Sequence, residues 1–171
     1  ASHMIDIVRF MGEEFQSVSA DAGIFVKERP LLDHSGVGKV TTYDWCNILG
    51  NLQSGANAVL QISRTTKNIG DWIQVELFGS EGRLIYCFMD GEQSLEIQAG
   101  PMDSANKGAH TLTPSAKYQA SQSQAFLDVV QGCGDGLEGT IDQGVAGQRV
   151  LEAALCAIEK KRWVNIEEIK G

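Results

Sequence analysis

The sequence has no closely spaced cysteine pair. Its four cysteines, Cys46, Cys87, Cys133 and Cys156, are scattered, whereas a zinc ribbon or knuckle needs tight ligand pairs such as C-x-x-C. Each lies in an apolar run and reads as a buried small hydrophobe of a reducing, cytoplasmic setting. The histidines, His3, His34 and His110, are equally dispersed and form no metal signature. Basic charge is also short: 14 Lys and Arg stand against 22 Asp and Glu, for a net charge of −8. That argues against nucleic acid and anionic membrane as partners, since both need a basic surface. Apolar stretches are strand-sized and too short to span a bilayer, and no n-region and h-region pair marks a signal peptide. The chain has no phosphate-binding P-loop, no G-x-S-x-G, and no Ser or Cys with a local base beside it.

What is present is ordinary globular material, 43% hydrophobic and 21% charged over 171 residues, enough for one domain with a real core. Met4, Ile7, Val8 and Met11 recur at helical spacing, which predicts a helix over 2–11 stopped by Gly12. Residues 14–26 alternate as a half-buried strand. Residues 29–39, with Pro30, Gly36 and Gly38, read as a loop. Strands follow over 40–52 and 57–66, turning at Gln53-Ser54-Gly55. Further strands are expected over 72–78, 84–89 and 94–98, turning at Gly79-Ser80-Glu81-Gly82 and at Asp90-Gly91. Such short connections leave no room for crossover helices, so these strands run antiparallel.

Residues 99–115 read as a mobile loop. Capping boxes at Ser121/Gln124 and Thr140/Gln143 start two helices. Ala125, Phe126, Val129 and Val130 predict the buried stripe of the first. Leu151, Leu155 and Ile158 predict the core face of the second, and Gly144 and Gly147 would let it approach a neighbour closely. A short strand over 163–166 closes the order.

The fold class is therefore α+β: an open, predominantly antiparallel sheet of about six or more strands, with helices packed on one face. The other face is left for substrate or oligomer contacts. Strands 72–78 and 84–89 carry apolar residues in both parities, Leu84, Tyr86 and Phe88 against Ile85, Cys87 and Met89. A sheet apolar on both sides needs two covers, and the expected partner is another copy in a symmetric dimer.

Several motifs compete with plainer readings. Gly134-Asp135-Gly136-Leu137-Glu138-Gly139 matches G-x-G-x-x-G, but it joins two helices instead of following a strand, and its carboxylates would repel a pyrophosphate. It reads as a linker. Trp45 and Trp72 could stack on a sugar ring, though packing is the simpler role in strands with apolar neighbours. Lys67-Asn68-Ile69-Gly70-Asp71 could rim a pocket. His3 and Asp6 lie three apart and so share a helix face. There a histidine can take or give a proton, and an aspartate can orient it or bind a hydroxyl. The plain alternative is an exposed helix N-terminus. Ser2-His3-Met4 is also the remnant that a common cloning site leaves.

In that order the motifs resemble a known family. Ser2-His3-Met4-Ile5-Asp6 is similar to the G-S-H-x-I-D helix of the glucose–fructose oxidoreductase, inositol dehydrogenase and MocA-like (Gfo/Idh/MocA) family. Ser63-Arg64 ends a strand as in that family. Leu77-Phe78-Gly79-Ser80-Glu81-Gly82 resembles its V-x-G-T/S-E-G turn, and 125–130 with 147–164 resemble its last helices and strand. The resemblance implies a C-terminal substrate-binding and oligomerisation domain over 1–171, with an N-terminal dinucleotide-binding domain absent. The parent would be an NAD- or NADP-dependent oxidoreductase acting on a sugar or polyol. His3 would be the proton-transfer residue and Asp6 its neighbouring acid, and no cofactor would bind this chain, which would be inactive alone. The family's catalytic lysine lies in a Glu-Lys-Pro motif of the other domain. Glu28-Arg29-Pro30 only mimics it, since Arg cannot shed a proton near neutrality. The alternative is a non-catalytic binding or assembly module of the same fold.

Overall fold

The computed structural model describes residues 1–33, 35–65, 70–100, 109–112 and 121–170. The elements in chain order are α1 (Ser2–Phe10), β1 (Phe15–Gly23), β2 (Glu28–Pro30), β3 (Val37–Lys39), β4 (Trp45–Leu52), β5 (Asn57–Ser63), β6 (Trp72–Gly79), β7 (Gly82–Met89), β8 (Glu92–Ala99), β9 (Ala109–Leu112), α2 (Gln122–Val130), α3 (Ile141–Lys160), β10 (Val164–Asn165) and a 3-10 turn (Ile166–Glu168). They fall into two compact units, Ala1–Thr66 with Gly139–Gly171, and Lys67–Glu138.

In the first unit the strands order as β10-β1-β4-β5, all antiparallel. Alternation along them puts Val18, Ile48, Leu52 and Leu60 on one face, where they are buried against Ile5 of α1 and Val150, Ala153, Ala154 and Ala157 of α3. The predicted core face of α3 is thus out of phase. Leu155 is exposed and Leu151 only half-buried, because the helix lies so close to β1 that alanines take the inner positions. An added Cβ at Gly144 or Gly147 would meet nothing within 4 Å, so the expected close approach there is not made. Thr140 and Gln143 do form the full capping box. Gly12 takes the left-handed conformation that ends α1 (φ +88°), and Gly55 turns β4 into β5 (φ +92°).

The face of this sheet opposite the helices carries Ser17, Ser19, Asp21, Asn47 and Gln61, with Asn51 donating to the Ser17 hydroxyl at 3.0 Å. Leu49 and Val59 sit opposite one another in its middle, 47% and 75% exposed. It is a polar face with a small apolar centre. The loop reading of 29–39 is corrected: Glu28–Pro30 and Val37–Lys39 pair as the β2–β3 ribbon, closed by Leu31 N–H donating to the Gly36 carbonyl at 2.9 Å.

The second unit is the antiparallel sheet β6-β7-β8-β9. Asp90 (φ 50°) and Gly91 (φ 89°) make the predicted tight turn between β7 and β8. Register puts Ile73, Val75, Leu84, Tyr86, Leu95 and Ile97 on one face. On the other, Trp72, Phe78, Ile85 and Met89 mix with Gln74, Glu76, Arg83 and Glu96. None of the side chains described in β6, β7 or β8 is buried.

The α+β, antiparallel architecture stands, but the single sheet does not. The ladder breaks into sheets of four, two and four strands, because among the described residues no registered pair links β5 to β6. The stripe predicted to be buried on α2 is exposed, Phe126 by 67%. Ser121 caps that helix through the Gln124 amide at 3.1 Å. The cysteines are also corrected. All four are unpaired, Cys133 is exposed and the others are half-buried, so none is a sealed core residue. Among the described residues no helix is long and apolar enough to cross a membrane.

Candidate functional site

α1 presents the sequence-predicted pair. Ile5 is fully buried, and Met4 and Val8 pack beside it, which fixes the rotation of the helix. That rotation leaves His3 and Asp6 exposed one turn apart. No hydrogen bond joins them, so the pair is aligned by the helix and open to a ligand. The far end of α1 is held by Arg9. Its Nε and Nη2 donate to the two Glu14 carboxylate oxygens at 3.0 and 2.8 Å, and its Nη1 donates to the Gln143 carbonyl in the first turn of α3 at 2.7 Å. The Glu14 hydrogen bond and charge raise the Arg9 pKa against the opposing effect of burial. A bidentate ion pair on a nearly buried arginine gives direction as well as attraction.

Sequence reasoning missed a second node. Asp44 is buried and accepts from the Phe25 and Val26 amides at 2.7 and 2.8 Å, and from Arg29 Nη2 at 3.2 Å. The Val26 amide first, then the Phe25 amide and the Arg29 guanidinium, hold its carboxyl below the usual carboxylate range, against burial. Beside it Phe25 stacks on Trp45, ring centroids 6.0 Å apart, and a Cβ on Gly23 would come within 2.6 Å of that indole. Trp45 is therefore a packing residue. Asp44 anchors the start of the β2–β3 ribbon, and Arg29, the mimic of the family lysine, is spent on that ion pair. The only local signal was an acid between Tyr43 and Trp45; its partners lie 15–19 residues away.

A cleft of about 410 Å³ opens between the start of β1, the middle of α3 and the 3-10 turn, lined by Glu14, Gln16, Gln53, Arg149, Asn165 and Glu167 over Phe15 and Val150. Neither His3 nor Asp6 lines it. The 3-10 turn is tied down by Glu168, which accepts from both terminal nitrogens of Arg162 at 3.1 and 2.6 Å and from the Asn165 amide at 2.9 Å. Those bonds, the Arg162 pair foremost, pull its carboxyl down to about 2.

The G-x-G-x-x-G segment does not fit a dinucleotide. The Asp135 and Gly136 amides donate to the Glu138 carboxylate, each at 3.0 Å, and the Leu137 amide donates to Asp135 at 3.0 Å. The backbone donors a pyrophosphate would need are taken by the segment's own acids. His34 and 66–69 lie outside the described residues, so the expected pocket rim is represented only by Gly70 and Asp71.

The model of the GFO/IDH/MocA C-terminal domain matches residues 1–85. The chain belongs to the Gfo/Idh/MocA family. Its fold is that of solved members of the oxidoreductase class. An NAD binding oxidoreductase from Klebsiella pneumoniae is 25% identical, with a TM-score of 0.79, over 99% of this chain and 50% of its own. An oxidoreductase domain protein from Kribbella flavida is 23% identical (TM-score 0.76; 96% of this chain, 48% of its own). A levoglucosan dehydrogenase bound to NADH and L-sorbose is 20% identical (TM-score 0.78; 96% and 49%). The chain thus spans about half the length of these proteins. Comparison with curated proteins finds no match. Within the Gfo/Idh/MocA domain, Ser63 ends β5 and the Gly79–Gly82 turn joins β6 to β7, where the motif comparison set them.

Proposed function

We propose that this Gfo/Idh/MocA domain is the substrate-side half of a cytoplasmic, NAD(P)-dependent oxidoreductase that acts on a sugar, polyol or related hydroxy compound as a homo-oligomer. The observation that carries the reading is that nearly the whole chain superposes on half of an NAD binding oxidoreductase. The amides of the Gly134–Gly139 segment are taken by Asp135 and Glu138, and in this reading the dinucleotide sits in the other half of such a protein, where the nicotinamide supplies the hydride acceptor.

This chain supplies proton handling. His3, held at the exposed start of α1, takes the proton of the substrate hydroxyl at a ring nitrogen as the carbonyl forms. Asp6, one turn on, accepts a hydrogen bond from the imidazole or from a neighbouring hydroxyl. The buried Ile5 between them fixes both without blocking either. The oligomer forms through sheet surface, and the half-buried apolar face of β6–β8 bearing Ile73, Val75, Leu84, Tyr86, Leu95 and Ile97 supplies it.

The test is the pH–rate profile of NAD(P)⁺ reduction by the domain joined to a dinucleotide-binding domain of the family. His3→Ala is expected to lower kcat about 10²–10⁴-fold and to remove the limb of the profile that falls toward acid. Asp6→Asn should cost less and leave that limb in place. Unchanged kcat and profile for His3→Ala would remove the catalytic assignment.

A further inference from the structure

α1 has few ties of its own. It is nine residues long, Ala1 gives it no side-chain cap, and its first turn holds no acid. So short a helix is marginal unless packing holds it. Ile5 is its one fully buried side chain. Arg9 lies four residues on and so shares the inward face with Ile5; its side chain is 8% exposed. Among the described residues, the only side-chain hydrogen bonds from α1 to the rest of the chain are those of Arg9, to Glu14 and to the Gln143 carbonyl. Both anchors are themselves fixed. The Glu14 carbonyl accepts from the Gln53 N–H at 2.9 Å, in the turn after β4. Gln143 stands in a first turn of α3 closed by its capping box with Thr140, at 3.0 and 3.2 Å.

The guanidinium fork thus joins the end of α1 to the entrance of β1 and to the start of α3. A lysine, with one nitrogen, cannot hold the carboxylate in a planar fork and reach the carbonyl as well. A helix held at both Ile5 and Arg9 keeps its angle, whereas one held at Ile5 alone can pivot there. His3 and Asp6 lie away from the inward face and would swing with it. Side chains reach about 5–6 Å from a helix axis, so a tilt of about 10° moves a ring nitrogen by about 1 Å. A displacement of that size can cost about 10²-fold in rate. We propose that Arg9 is a positioning residue of the proton-transfer site: its bonds to Glu14 and Gln143 set the angle of α1, and through it the place of His3. The inference rests on the proton-handling role of His3 and adds to it the contact that aims the imidazole.

The test is a double-mutant cycle between Arg9→Lys and His3→Ala in the domain joined to a dinucleotide-binding domain of the family, with kcat taken per folded molecule by circular dichroism. Arg9→Lys is expected to lower kcat at least about tenfold while the limb of the pH–rate profile that falls toward acid is kept. Once His3 is replaced, Arg9→Lys should have little further effect, because it acts through that side chain. Glu14→Gln, which keeps the shape of the anchor but not its charge, should act in the same direction by less, and its coupling to His3 is read in the same way if Arg9→Lys does not fold. In the 171-residue chain itself, Arg9→Lys should speed hydrogen exchange of the α1 amides and leave β1 and β4 protected. If His3→Ala abolishes turnover but Arg9→Lys leaves kcat unchanged, or lowers it by the same factor with and without His3, the clamp is refuted and the role of His3 survives. If His3→Ala itself leaves kcat unchanged, both fall.

Discussion

Ile48→Ala against Leu49→Ala tests the assignment of faces in the first sheet. Ile48 is fully buried, pairs with Ala20 on β1 and Leu60 on β5, and belongs to the cluster that packs α3 on the sheet. Truncation deletes three carbons, worth about 0.8 kcal/mol each, or about 2.4 kcal/mol in lost burial. A cavity among rigid neighbours adds to this, and such changes span about 2–5 kcal/mol. Leu49 is the next residue but points to the polar face and is 47% exposed. Its truncation should cost less than about 1 kcal/mol in the separated subunit. Urea unfolding followed by far-UV circular dichroism measures both, the slope m being checked for constancy so that the midpoints report stability. Equal losses, or a larger loss at Leu49, would show that the helices cover the other face.

Three further outcomes follow from the same contacts. Asp44→Asn leaves the amides with a weaker acceptor and Arg29 without its counter-ion, so tryptic cleavage after Lys27 and Lys39 should accelerate several-fold; unchanged cleavage would show the β2–β3 ribbon is fixed by other means. Glu168 has a folded pKa of about 2 against an ordinary 4.5. A depressed carboxylate contributes stability above its unfolded pKa and loses it as pH falls through the folded one, so the melting temperature should drop between about pH 5 and about pH 2, and less steeply in Glu168→Gln. Gly82 has φ +153°, and a Cβ there would sit 2.2 Å from the Gln98 carbonyl oxygen. Backbone cannot yield as a side-chain tip can, so Gly82→Ala should destabilise the second unit by more than about 1 kcal/mol in hydrogen-exchange protection of β7 and β8.

How much of this was legible depended on range. Thr140 with Gln143, Asp90-Gly91 and Gly55 act over a few residues, so their turns and caps could be read directly. The antiparallel order followed from the same short connections. Helical periodicity showed that α2 has an apolar stripe, but it could not say whether anything covers it, and Phe126 is bare. It also misplaced the core of α3, since Leu151 and Leu155 were assigned inward where Val150, Ala153, Ala154 and Ala157 are the buried residues. Asp44 was invisible because its partners come from residues 25–29, brought close only by pairing of β1 with β4. The helix that sets His3 and Asp6 one turn apart was legible from its apolar spacing alone.

The central claim is that this domain completes a sugar or polyol oxidoreductase without itself holding the dinucleotide. The direct measurement is NADH titration by calorimetry of the chain alone, then of the chain joined to a dinucleotide-binding domain of its family, followed by hydride transfer with a panel of sugars and polyols. The account predicts no binding alone, and binding with turnover once joined. Tight NADH binding by the chain alone, or a joined protein that binds cofactor yet oxidises no hydroxy compound with either NAD⁺ or NADP⁺, would contradict it.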